Sequence, residues 1–484
     1  MTELTVAERT ALVQACLARV RENVFSGSAW LALARNRHTP EGRKALSDAY
    51  MALIGAESTP NAELLRRSHL DKDPENRDVR CALVNSLFQR GAFAPAHLVL
   101  QGLETVLVKD NRVVWFELLQ DLGELEKAEE VLKELSANFS TDSQLFCRAL
   151  AHKATLDGDY SLARDYFEKA QLPGESAKCE LGFAELRVGN FKRGWDLYEH
   201  RFALMPTFSK TPGVNSWTGK ETGQTILVRC EQGLGDSIQF FRFLPRLKKY
   251  FQTIILEVPM PLFRLAESLD SVDLLIPQDS LLLNSLSFDY TLPIMSLGKT
   301  LEIDVDSLGT DLIPYLQPPE TLCPIPPPTS SRRVGLVWCG SSVHKRDCFR
   351  SVCLNAFADL ASVEGVQFVS LQNGQAGYQA QYPPPGMDIL DQSPFLLDMG
   401  DVAALIEGLD LIICVDTAVA HLAGALGKPV WVMIPARPDW RWMAGESSPW
   451  YPSMRLFRQE RHGDWSVVLR QIRDALEEWT GNLN

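Results

Sequence analysis

Three short stretches of this chain bring together side chains able to do chemistry. The first is CEQGLGDSIQFFRFLP, Cys230 to Pro245, where a probable strand gives way to a probable helix. Gly233 and Gly235 let the backbone turn sharply there, with Gln232 in the same loop, and Asp236 falls on or just before the first helical residue. A carboxylate so placed has two uses. It caps the helix and suits the positive end of its dipole, or it faces a cleft and takes a proton from a bound substrate. A dinucleotide fingerprint is not completed, because Ile238 occupies the third glycine position.

The second stretch is CVDTAVAHLAGALGKPVWVMI, from Cys414. An apolar strand ends at Val415, Asp416 and Thr417 stand at the turn, and a helix of small residues opens at Ala418 with His421 near its first turn. Backbone N–H groups at such a start, a hydroxyl and an imidazole converge on one anion, as a phosphate requires. The bland alternative is a histidine that satisfies a buried carbonyl. The third stretch, WCGSSVHKRDCFRSV from Trp338, gathers His344, Lys345, Arg346 and Arg350, with Asp347 able to orient one of them. Local positive charge of this kind stabilises a departing diphosphate, or it is simply a solvated loop.

The elements that must position these groups fall into two halves. Between residues 80 and 200 four segments align, GAFAPAH, GELEKAE, GDYSLAR and GNFKRGW, starting at Gly91, Gly123, Gly158 and Gly189. Their intervals are 32, 35 and 31 residues. Each glycine is followed two positions later by a large apolar residue (Phe93, Leu125, Tyr160, Phe191) and five later by a small one (Ala96, Ala128, Ala163, Gly194). Glycine for the turn, a large residue to pack and a small one for close approach describe helix pairs resembling tetratricopeptide repeats. Stacked pairs form a groove suited to an extended peptide or a partner protein.

Beyond residue 204 strand-like runs alternate with amphipathic stretches, first TILVRC, TIILEV, VDLLI and DYTL, then RVGLVW, VQFVSL, DLIICV, PVWVMI and MRLFR. This alternation predicts parallel βαβ units in two Rossmann-like domains, with ligands beyond the carboxyl ends of the strands. Between the two sets lies a stretch with six prolines and no hydrophobic period, which reads as a linker. The expected organisation is a helical repeat domain over 1–203, a Rossmann-like domain over 204–317, a linker over 318–331 and a second Rossmann-like domain over 332–484. Trp440, Trp442, Trp450 and Tyr451 read as core or as a stacking surface for a sugar or base, and DWSVVLRQIRDALEEW as an amphipathic helix packed back onto these domains.

Composition excludes several classes. The formal charge of −13 with dispersed basic residues argues against a nucleic-acid partner. No apolar run approaches the ~20 residues of a membrane span. The first residues, MTELTVAERTALVQACLARV, read as a polar helix and not as a secretion signal, so the expected location is the cytoplasm. Ten cysteines without a C-x-x-C pair and eight histidines without H-x-x-x-H predict no metal site.

EQGLGDSIQFFRF, VGLVWCG, HKRDCFRS, DVAALIEGLDLIICVDTAVAHLAGALGKPVWVMIP, PDWRWM and SPWYPSMRLFRQ, in that order behind the repeats, resemble a known group. It comprises bacterial tetratricopeptide-repeat proteins ending in a two-Rossmann (GT-B) glycosyltransferase domain, similar to the family 9 heptosyltransferases and to flagellin-modifying transferases. O-GlcNAc transferase similarly joins such repeats to a GT-B unit. The resemblance implies inverting, metal-independent transfer of a sugar from a nucleotide-sugar donor, with no cofactor. The acceptor would be a protein recruited by the repeats, flagellin among the candidates. It further implies Asp236 as the base and the Asp416, Thr417, Ala418 and His421 turn as the donor phosphate contact. Lys345, Arg346 or Arg350 would steady the leaving nucleotide, in a loop that departs from the heptosyltransferase pattern. The 204–317 domain would then hold the acceptor and the 332–484 domain the donor. Alternatives are a repeat adaptor with a degenerate nucleotide-binding domain, or a transferase acting on a glycan or lipid-linked acceptor.

Overall fold

The computed structural model describes residues 124–140, 143–203, 214–321, 331–341 and 347–481, together with positions 83, 113, 116, 117, 119, 120, 323 and 344. The repeat positions Gly91, Phe93, Ala96 and Gly123, and the basic residues Lys345 and Arg346, lie outside the described residues. The chain divides into two compact units, Met1–Lys133 and Glu134–Asn484. In the first, Leu119 and Ala128 are among the buried residues.

Helix α1 is Leu125–Asn138, α2 Gln144–Leu156, α3 Tyr160–Ala170, α4 Glu175–Arg187 and α5 Phe191–Tyr198. The turns before α3 and α5 pass through Gly158 and Gly189, at φ 77° and 86°, a left-handed conformation that favours glycine. Asp159 caps α3 by accepting from the Leu162 N–H at 3.0 Å. The small position behaves as its spacing requires: Ala163 is buried, and a Cβ on Gly194 would stand 2.7 Å from the Leu186 side chain. A 3₁₀ turn, Glu199–Ala203, closes this helical part.

Two all-parallel sheets follow, as the strand–helix alternation predicts. The first contains β1 (Asn215–Ser216), β2 (Gly223–Arg229), β3 (Phe251–Val258), β4 (Leu274–Pro277) and β5 (Tyr290–Pro293), in the order β1-β5-β2-β3-β4. The second contains β6 (Arg332–Val337), β7 (Val366–Ser370), β8 (Ile389–Asp391), β9 (Leu411–Val415), β10 (Val430–Ile434) and β11 (Met454–Arg458), in the order β11-β10-β9-β6-β7-β8. Every residue of β9 and β10 is buried, as expected for strands covered on both faces. The short strands β1 and β8 have no counterpart in the sequence reading, since two or three residues leave no period to detect.

Helix α6 (Leu234–Phe241) follows β2 and stops before Pro245, which opens a separate 3₁₀ segment, Leu244–Lys249. Helix α7 (Met399–Glu407) precedes β9, α8 (Ala418–Ala425) follows it, and α9 (Ser466–Gly481) ends the described chain. Helix α9 buries Val468, Leu469, Ile472 and Leu476 in a core shared with Trp431 and Phe457 of the second sheet. A second, continuous core runs from Trp195 and Tyr198 of α5 through Val228 and Leu256 of the first sheet to Ile412 and Val432 of the other.

Candidate active site

Asp236 is the third residue of α6, not its cap. Oδ2 reaches back and accepts the Gly233 N–H at 2.7 Å, which satisfies one of the donors orphaned at the helix start. Oδ1 pairs with the Arg441 guanidinium. Burial pushes the Asp236 carboxyl above the usual carboxylate range, while the Arg441 charge opposes that rise. The residue therefore serves as a helix-start acceptor with one oxygen and holds a charged contact with the other.

Arg441 comes from the 3₁₀ turn Trp440–Trp442. Its Nε donates to Gln239 Oε1 at 2.6 Å, and its Nη1 to Asp439 Oδ1 at 2.9 Å. Asp439 also caps that turn, accepting the Arg441 N–H at 3.0 Å. Burial alone would raise the Asp439 carboxyl, but Arg441 holds it below the usual range. Sequence reasoning named neither residue as functional. The only signal was the run PDWRWM, an arginine between two tryptophans, and nothing local says which carboxylate it meets.

Helix α8 brings the second stretch to the same place. A Cβ on Gly235 would lie 2.8 Å from His421 Cδ2 and 3.3 Å from Ala418 Cα, so the glycine lets α6 and α8 touch. Thr417 caps α8, its hydroxyl accepting the Val419 N–H at 3.3 Å. His421 is buried, stacked on Trp442 with ring centroids 5.3 Å apart, and its Nδ1 stands 3.1 Å from the Tyr451 hydroxyl. Burial, assisted by the Arg441 charge, pushes the imidazole down to about 3, so it is neutral at ordinary pH. Trp440, Trp442, Trp450 and Tyr451 are all buried, which makes them core around the site and not an open stacking surface.

Asp416 sits between these groups and the third stretch. Its carbonyl accepts from Arg350 Nη1 at 2.8 Å, and Arg350 Nε donates to Asp347 Oδ1 at 3.0 Å. Gly340 makes room for that pair, because a Cβ there would meet Asp347 Oδ1 at 2.3 Å and Arg350 Nη2 at 2.6 Å. Burial and the neighbouring Asp439 push the Asp416 carboxyl up to about 6, against the pull of Arg350. His344 is exposed, its backbone N–H donating to the Ser341 carbonyl at 2.9 Å. Gln232 adopts φ 64° and donates from Nε2 to the Tyr198 hydroxyl at 2.6 Å. The two glycine- and threonine-marked turns thus meet, with Asp347 and Arg350 beside the second. Among the described residues no group of three His, Cys, Asp or Glu side chains is placed to hold a metal ion, and no helix is long and apolar enough to cross a membrane.

Residues 396–434 match the model of glycosyltransferase family 9 (heptosyltransferase). That segment carries all of α7, β9, α8 and β10, and the Asp416–His421 turn. Protein FlbA of Caulobacter vibrioides is 26% identical over 345 residues, 61% of this chain and 54% of that protein. The chain thus spans about half the length of this curated relative. Among solved structures, the ADP-heptose lipopolysaccharide heptosyltransferase II of E. coli is 15% identical over 53% of this chain and 100% of its own, with a TM-score of 0.37. E. coli heptosyltransferase WaaC with ADP-2-deoxy-2-fluoro heptose gives 13% identity over 54% of this chain and 100% of its own, at 0.35. An O-GlcNAc transferase variant from Thermobaculum terrenum is 12% identical over 100% of this chain and 94% of its own, at 0.31.

Proposed function

We propose that the protein transfers a sugar from a nucleotide-sugar donor to an acceptor hydroxyl. The observation that carries this reading is the contact between the α6 start bearing Asp236 and the α8 start inside the segment matched to glycosyltransferase family 9. The acceptor hydroxyl attacks the anomeric carbon as Asp236 takes its proton, and the bond to the nucleotide phosphate breaks on the opposite face, inverting that carbon. N–H groups at the start of α8 and the positive charge of Arg350 stabilise the departing phosphate. His421 is neutral and buried, so in this reading it shapes α8 and supplies no charge. An ionised Asp416 would repel phosphate, and its carboxyl suits a hydroxyl of the donor better.

The donor domain in this proposal is 332–484 and the acceptor domain 204–317. The acceptor is a protein held by tetratricopeptide-like repeats in the cytoplasm, with flagellin a candidate, and ADP-heptose is the first donor to try. The test is turnover of a panel of nucleotide sugars by the full chain and by Asp236→Asn. Loss of about 10²–10⁴-fold in kcat with nucleotide binding retained is expected of a general base. A loss of only a few-fold would remove Asp236 from that role.

A further inference from the structure

Residues 230–236 are held from the helical part of the chain by a buried ion pair. Arg201, from the 3₁₀ turn after α5, is 3% exposed and donates through Nε and Nη2 to the two oxygens of Glu231, at 3.1 and 2.6 Å. The Glu231 side chain is fully buried, and its Oε1 also receives the Met295 N–H at 3.3 Å. Arg201 Nη1 donates to Glu199 Oε1 at 2.6 Å, and Nη2 also to Ser296 Oγ at 2.9 Å. The next residue, Gln232, has the left-handed φ of 64° and is tied to the Tyr198 hydroxyl of α5. Two consecutive residues of the loop before Asp236 are thus anchored by side chains from the end of the helical part.

A buried ion pair is an inefficient source of stability, since well-packed apolar residues of similar volume often do as well. What a bidentate guanidinium–carboxylate pair supplies is direction, because the planar fork accepts one geometry. A non-glycine residue at positive φ costs local free energy and persists only where its surroundings over-determine it. Here that residue stands between the Arg201–Glu231 pair and Gly233, whose N–H binds Asp236.

We infer that Arg201 is a positioning residue: by gripping Glu231 it sets the loop that presents Asp236, so the end of the helical part is a working portion of the proposed active site. Asp236 as the base rests on the function proposed above, whereas the grip on the loop does not.

The experiment uses the full chain. Arg201→Met alone would leave Glu231 buried without its partner and risks unfolding, so the informative variant is the double change Arg201→Met with Glu231→Gln, compared with Arg201→Lys. Backbone hydrogen exchange is followed over the whole chain, and turnover of a nucleotide-sugar panel in parallel. In the double variant, exchange over residues 231–237 is expected to rise at least about tenfold while the rest keeps its protection. With a donor that turns over, kcat is expected to fall at least about tenfold with KM for the nucleotide sugar little changed, and Arg201→Lys to fall between. Unchanged exchange over 231–237, or faster exchange spread evenly over the chain, would overturn the inference. A fall in KM and kcat together with unchanged loop exchange would overturn it equally. If the unaltered chain turns over no donor, the proposed function fails and the exchange result alone decides the grip.

Discussion

At the scale of single residues, Asp236 divides its two oxygens between a helix-start N–H and the Arg441 guanidinium. Burial raises its affinity for a proton and Arg441 lowers it, so ionisation depends on the arginine. Arg441→Gln should move the acid limb of the pH–rate profile to higher pH, because the opposing charge is gone while the burial stays. A profile unchanged on the acid side would separate Asp236 from catalysis. Asp416 gives a stability test with the opposite sense to most carboxylates. Its folded-state value of about 6 lies above the ordinary 3.8, so between those values the folded chain binds more protons than the unfolded one. Stability is therefore lost as pH rises through that window. Asp416→Asn should stabilise the chain above pH 6 by up to about 3 kcal/mol, with the gain fading toward pH 4, as melting temperatures across that range would record.

At the scale of elements, the contact between α6 and α8 depends on the absence of a side chain at Gly235. His421 is held by Trp442 on its face and Tyr451 at Nδ1, so it has no free direction in which to yield to a methyl group. Gly235→Ala should destabilise by about 1–3 kcal/mol, read as a lower denaturation midpoint with unchanged m-value. An unchanged midpoint would mean that the helices separate easily. The GLGD motif was legible in the sequence as a turn at a strand–helix junction, because glycines and a carboxylate act locally. Its partner was not, since Arg441 lies 205 residues away and only the two sheets bring it to Asp236.

At the scale of the molecule, Trp195 joins the helical part to the part that carries the two sheets. Its ring stands 5.9 Å from Phe240 and 5.3 Å from Trp440, and its Nε1 donates to the Ile303 carbonyl at 2.8 Å. Arg187 adds a bond from Nη2 to the Pro438 carbonyl at 3.0 Å, next to Asp439. A chain beginning at Glu134, the start of the second compact unit, should unfold cooperatively in solution. One beginning at residue 204 loses Trp195, Tyr198 and Arg201, and should aggregate or melt without a single transition, in calorimetry and size-exclusion chromatography. Retention of a sharp transition by the shorter chain would show that the shared core is dispensable.

Local and periodic signals determined much of this protein from sequence. Apolar runs marked the main strands of both sheets, glycines at φ 77° and 86° marked the helix-pair turns, and Asp236, Thr417 and Ala418 were placed at helix starts. The tertiary structure decided what each group faces. It turned His421 into a neutral core residue, chose core over stacking surface for Trp440, Trp442, Trp450 and Tyr451, paired Asp236 with Arg441, and aimed Arg201 at Glu231. The physical reason is range: secondary structure is written in neighbours a few positions apart, whereas the charge and solvation of a buried group are set by residues the chain brings back from far away.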